Sequence, residues 1–123
     1  MTIAVVGASR HHDKAAYVVP LQLRLHGWQV IPINPHSDEI RGERCYARLA
    51  DVPVPIDLVN VFRPSADAAA VVAEAVAVGA TAVWLQQGII SAEGRRIAEA
   101  AGLDYVEDLC IAVERALGRL TRA

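Results

Sequence analysis

At 123 residues, with 54% hydrophobic side chains and a mean hydropathy of +0.28, the chain can bury one real core and is too apolar for a disordered tail. A formal net charge of −2 excludes the basic stripe that a nucleic-acid binder needs, and no apolar run approaches the ~20 residues that span a bilayer. Two cysteines, Cys45 and Cys110, make no disulfide framework. With no basic, cleavable leader in the first residues, a reducing cytoplasm is expected.

In chain order, Ile3–Val6 reads as a strand that stops on Gly7-Ala8-Ser9. The polar, mostly basic stretch Arg10-His11-His12-Asp13-Lys14 follows and carries the chain's only lysine. A helix is expected over Ala15–Leu25, apolar at Val18, Val19, Leu21, Leu23 and Leu25 and stopped by Gly27. Trp28–Ile33 is a second strand ended by Pro35. Residues 34–55 read as irregular, with one weak helical turn at Ala47–Asp51. Leu58–Phe62 is a third strand, Ala66–Val78 a helix capped by Gly79, and Ala82–Leu85 a fourth strand. A helix at Ala92–Ala101, a short strand at Asp104–Val106 and a helix at Ile111–Leu120 complete the chain.

Strands without polar alternation, separated by helices, describe right-handed βαβ units with both sheet faces covered. The expected architecture is a single α/β domain, a Rossmann-like three-layer fold with a five-stranded parallel sheet in the order 3-2-1-4-5. Ligands bind such sheets beyond the carboxyl ends of the strands where the order reverses, here expected between strands 1 and 4. The stretches to inspect are therefore Gly7-Ala8-Ser9, Asn34-Pro35, Arg63-Pro64, Gln86-Gln87-Gly88 and Glu107-Asp108.

A strand that delivers a glycine turn toward a helix N-terminus favours an anion, because unpaired amides and the helix dipole both face it. The dinucleotide pattern G-x-G-x-x-G nevertheless fails: aligned on Gly7, its later glycines fall on Ser9 and His12. The acid that would hold an adenosine ribose after strand 2 is also missing, and Asn34 stands in its place. Both departures point away from NAD.

IAVVGAS, Lys14, Tyr17, VIPINP at Val30–Pro35 and EIRGERCYARLADVP at Glu39–Pro53 resemble the small stand-alone CoA-binding proteins. DLVNVFRP at Asp57–Pro64, AVWLQQGI at Ala82–Ile89 and EDLCI at Glu107–Ile111 continue the match. The whole is similar to the CoA-binding domain of succinyl-CoA synthetase alpha subunits. The resemblance implies coenzyme A or an acyl-CoA as ligand. It implies that Gly7, Ala8 and Ser9 hold the pyrophosphate, and that Lys14, helped by Arg10, meets a phosphate. By the same resemblance Asn34, Pro35 and the loop to Ile40 line the adenosine side. Phe62 and Arg63 flank the adenine, and Gln86 and Gly88 approach the pantetheine arm. A neutral Asn34 suits CoA, whose ribose 3′-phosphate an acid there would repel.

Ordinary explanations stand beside several of these. Phe62 suits the core as well as an adenine platform, Trp84 suits the core, and Trp28 a half-buried strand start. His11 and His12 suit a solvated loop better than a metal site, since no further ligands lie nearby. His26 and His36 suit the surface. Cys110 stands near the start of the last helix, where a thiol could meet CoA; a small buried residue is the competing reading. No catalytic set emerges, because Ser9 lacks the G-x-S-x-G elbow and adjacent histidines do not make a triad. Ligand binding without catalysis is expected, with no metal, nucleic acid or membrane. An NAD(P)-binding redox protein and a ligand-free scaffold are the alternatives, and Ala-rich helices leave room for a homo-oligomer. Gly7→Val is expected to abolish binding by blocking backbone approach to the pyrophosphate.

Overall fold

A computed structural model describes residues 1–118. The first strand, β1 (Thr2–Val6), is buried along its whole length, as an apolar run with helices on both faces must be. The helix α1 (Ala15–Leu25) returns the chain to β2 (Gln29–Ile33), which pairs parallel to β1 from Thr2↔Gln29 to Val6↔Ile33.

The segment expected to be irregular contains a hairpin, β3 (Glu39–Ile40) with β4 (Glu43–Arg44), and a 3-10 turn at Leu49–Asp51. The chain then enters β5 (Leu58–Val61), α2 (Ser65–Ala77), β6 (Ala82–Leu85), α3 (Ala92–Ala100), β7 (Asp104–Val106) and α4 (Ile111–Ala116). The expected end of the last helix at Leu120 lies outside the described residues.

The five-stranded parallel sheet runs β2-β1-β5-β6-β7. Leu58–Val61 therefore pairs with β1 and β6, not beyond β2. Two physical reasons decide this. All of β5 is buried, so its amides and carbonyls need a strand on each side. Meanwhile β2 carries Pro32, which has no N–H for a ladder partner and belongs on an edge. The Pro32 carbonyl accepts instead from the Tyr46 amide at 3.1 Å, within a single bridge between Ile33 and Tyr46. Counting that bridge as the outermost position keeps the 3-2-1-4-5 pattern. The third place then belongs to Tyr46, and Leu58–Val61 takes the fourth.

Side chains alternate across the sheet. Ala4, Val6, Ile31, Ile33, Val59 and Val61 pack under α2 and α3 with Ala68, Val71, Val72, Ala75 and Ala98. Ile3, Val5, Val30, Leu58 and Trp84 pack under α1 and α4 with Val19, Leu23 and Ile111. Trp84 is thus core, its Nε1 donating to the Leu109 carbonyl at 2.8 Å. Trp28 is core as well, since it is buried in the second cluster and not half-exposed. Among the described residues no helix is long and apolar enough to cross a membrane.

With β5 beside β1, the reversal of strand order lies between those two strands. That placement gathers the carboxyl ends of β2, β1 and β5 into one region and leaves the ends of β6 and β7 to one side.

Candidate functional site

The turn after β1 depends on Gly7. Its amide donates to the Ile33 carbonyl at 3.0 Å, its φ is +89°, and an added Cβ would stand 3.1 Å from the Phe62 carbonyl oxygen and 3.3 Å from Arg63 Cδ. The glycine is required by the adjacent β5 backbone and by its own conformation, before any ligand is considered. The clash expected with a pyrophosphate is thus met first by protein atoms.

Beyond it, Ser9 Oγ accepts the His11 amide at 3.0 Å, and the Ser9 amide donates to the Ala16 carbonyl at 3.1 Å. The Lys14 amide donates to the His11 carbonyl at 3.1 Å, closing a short turn before α1 begins. The amides of Ala8 and Arg10 make no hydrogen bond to any described residue. These are the donors that an anion would use.

Asn34 ends β2 and clamps two loops together. Its Nδ2 donates to the Ala8 carbonyl at 2.9 Å, and its Oδ1 accepts the His36 amide at 2.8 Å. Its own amide donates to the Tyr46 carbonyl at 2.9 Å. Cys45 Sγ donates to the Asn34 carbonyl at 3.6 Å, and burial pushes that thiol's pKa up, so it stays a neutral donor. The side chain expected to face adenosine is therefore engaged with backbone, and it shapes the site rather than offering free polar atoms.

Two cavities meet at this point. One, of about 280 Å³, is lined by Gly7, Ala8, Ser9, Arg10, His11, Asn34, His36 and Ser37. The other, of about 500 Å³, is lined by Gly7, Asn34, Pro35, His36, Phe62 and Arg63, with Arg48 on one wall and Asp67, Val71 and Glu74 of α2 on the other. Both lie within the size range of small-molecule sites or just below it. Shared Gly7, Asn34 and His36 make them one groove. The smaller half holds Arg10, His11 and His36 and no carboxylate. The larger half has an apolar wall and two acids, and Arg63 is tied there to Asp67 at 3.0 Å.

Of the residues singled out from sequence, Gly7, Ala8, Ser9, Arg10, Asn34, Pro35, Phe62 and Arg63 line this groove. Five lie elsewhere. Lys14 is exposed at the N-cap of α1 and lines neither half of the groove. Ile40 is buried in the cluster under α1, where an aliphatic side chain gains most from burial. Gln86 is buried: its Oε1 accepts from Asn60 Nδ2 and from the Ile111 amide, each at 3.3 Å. Gly88 donates its amide to Asp108 Oδ1 at 2.7 Å, joining the β6 and β7 loops to each other. Cys110 lines a cavity of about 240 Å³ with Gln87, Asp108, Leu109, Val113 and Glu114, which shares no residue with the groove. Gln86, Gly88 and Cys110 were chosen at the ends of the fourth and fifth strands, and with β5 beside β1 the groove lies away from those ends, whereas Lys14 and Ile40 rested on the resemblance.

Sequence reasoning passed over Arg48, Asp67 and Glu74. His36 and Ser37 belong to the loop from Asn34 to Ile40 that the resemblance put at the ligand; His36 lines both halves of the groove and Ser37 the smaller. Asp67, Val71 and Glu74 share one face of α2 by helical spacing, so their phase was legible once Arg63 was placed. Arg48 comes from the tail of the long loop, and no local signal brings it to a strand end.

The model of the CoA binding domain family matches residues 1–116. The Bacillus subtilis protein YneT is 36% identical over 115 residues, covering 94% of this chain and 85% of that protein. An ADP-forming acetate–CoA ligase of Methanocaldococcus jannaschii is 36% identical over 64 residues, which are 52% of this chain and 9% of the ligase. Against that ligase the chain corresponds to a small part of a much longer protein. Among solved structures, a conserved hypothetical protein from Pyrococcus furiosus superposes with a TM-score of 0.85 at 37% identity, covering 92% of this chain and 97% of the other.

Proposed function

We propose that this chain, which belongs to the CoA binding domain family, holds coenzyme A or an acyl-CoA in the groove at the ends of β1, β2 and β5 without transforming it. The observation that carries this reading is the polarity of the groove. Its smaller half offers the Ala8 and Arg10 amides with Arg10, His11 and His36, and no carboxylate. A pyrophosphate placed there meets backbone amides and the Arg10 side chain, with no carboxylate in the lining. The larger half, between Pro35 and Phe62, has the apolar wall suited to an adenosine. An acid after β2 would mark a ribose with free hydroxyls; Asn34 there, with its amide spent on Ala8 and His36, leaves room for a 3′-phosphate.

The same residues support retention without chemistry. Ser9 Oγ is engaged with the His11 amide, not with an imidazole nitrogen that could take its proton. The ligase activity of the longer relative belongs to a protein of which this chain matches 9%, so binding is what carries over.

Thermal unfolding with CoA, NAD, NADP and ATP at millimolar concentration tests the reading. A ligand at a hundred times its Kd stabilises by roughly 2.7 kcal/mol, so micromolar binding gives a visible shift. CoA is expected to raise the midpoint most. An unmoved midpoint with CoA beside a raised one with NADP would overturn the reading.

A further inference from the structure

We infer that the β3–β4 hairpin is a positioning device for the loop that meets the ligand's phosphates, acting through a stack of Arg41, Tyr17 and His12. The inference rests on the CoA reading above. Arg41 and Gly42 form the hairpin tip with φ of +55° and +75°. Two successive left-handed residues make a tight hairpin turn, and the first is costly for an arginine. Surrounding contacts hold it there. The Arg41 side chain is 6% exposed, with Nη2 on Glu43 Oε1 at 3.1 Å. Its Nη1 donates to the Tyr17 carbonyl at 3.1 Å.

The same guanidinium lies over the Tyr17 ring, 5.0 Å from its centroid. The His12 ring stacks on Tyr17 with centroids 4.6 Å apart and planes at 27°. The Tyr17 ring thus contacts both groups and links the hairpin tip to the loop before α1. Glu43 also pairs with Arg24, so the hairpin grips α1 at its first and its last turn.

The consequence falls on the loop. His12 sits in the turn joining Ser9 to α1, and the two residues before it, Arg10 and His11, line the acid-free half of the groove. Pinning His12 on Tyr17 fixes where those two side chains and the Arg10 amide stand. A preorganised loop loses less freedom on binding, and the gain appears as affinity. His12 is thus a positioning residue, and Arg41 sets the platform it rests on.

The test titrates CoA calorimetrically into the wild type, His12→Ala and His12→Phe, with ligand-free melting measured alongside. His12→Ala should weaken CoA binding about three- to tenfold, the scale of one aromatic stack. Its ligand-free midpoint should stay within about 2 °C, since His12 is exposed. His12→Phe keeps the ring and drops the imidazole, and should restore wild-type affinity. Wild-type affinity in His12→Ala overturns the inference. So does His12→Phe binding as weakly as His12→Ala, which would make the imidazole itself a ligand contact. A clearly lowered ligand-free midpoint in His12→Ala overturns it in favour of a plain structural role. Failure of the wild type to take up CoA overturns the functional reading, and this inference with it.

Discussion

Replacing Gly7 by alanine separates the demands of the fold from those of the ligand. The residue holds φ +89°, and a left-handed conformation costs an L-residue roughly 1–2 kcal/mol. The new Cβ would meet the Phe62 carbonyl oxygen at 3.1 Å, its carbon at 3.2 Å and Arg63 Cδ at 3.3 Å. The arginine methylene can swing aside, but the Phe62 backbone follows a buried strand and its amide is bonded to the Val6 carbonyl at 2.9 Å. Relieving that contact by a few tenths of an ångström costs about another 1–2 kcal/mol. The total is about 3 kcal/mol. For a domain of this size that lowers the melting temperature by about 10 °C. The assay is thermal unfolding by circular dichroism without ligand. A Gly7→Ala protein that melts within about 2 °C of wild type yet no longer binds CoA would refute this reasoning. It would show that the glycine serves the ligand alone.

Two further outcomes are expected. Asn34→Asp keeps the shape and the bond to the His36 amide but turns an oxygen toward the Ala8 carbonyl and adds an anion to the acid-free half. It should cost about 1–3 kcal/mol of stability and weaken CoA at least about tenfold by calorimetry, more at low salt; unchanged affinity would remove Asn34 from the site. Burial first, then the hydrogen bond to Glu107, raises the Tyr105 pKa above its ordinary value. Its neutral form is favoured in the fold, so that stabilisation is complete below the unfolded value of about 10 and is lost as pH climbs above it. The melting temperature should therefore fall more steeply above about pH 10 in wild type than in Tyr105→Phe, and parallel curves would contradict the assignment.

Much of the fold was legible because local pattern and burial agree. Apolar runs at Ile3–Val6, Leu58–Phe62 and Ala82–Leu85 can only be strands covered on both faces, and each is. Gly7 announces a turn, and Asn34 marks the end of β2. The hairpin tip is Arg41-Gly42, not the Asn-Gly or Asp-Gly pair that signals such a turn, so residues 39–44 read as irregular. Pro32 did carry the information that no full ladder strand lies beyond β2, which leaves Leu58–Val61 to pair with β1.

The sequence by itself determined a parallel, doubly covered sheet, a glycine turn after the first strand, and a CoA-binding family likeness. Those depend on near neighbours in the chain: side-chain period, turn chemistry and residue type. Tertiary structure alone decided which strand lies beside β1, and hence which strand ends share a groove. Phe62 and Arg63 joined Gly7 because β5 needs partners on both edges, while Gln86, Gly88 and Cys110 were left beyond it. The role of Asn34 as a clamp and the contact of Arg41 with Tyr17 were likewise set by packing, since each joins residues far apart in sequence that only the tertiary structure brings into contact.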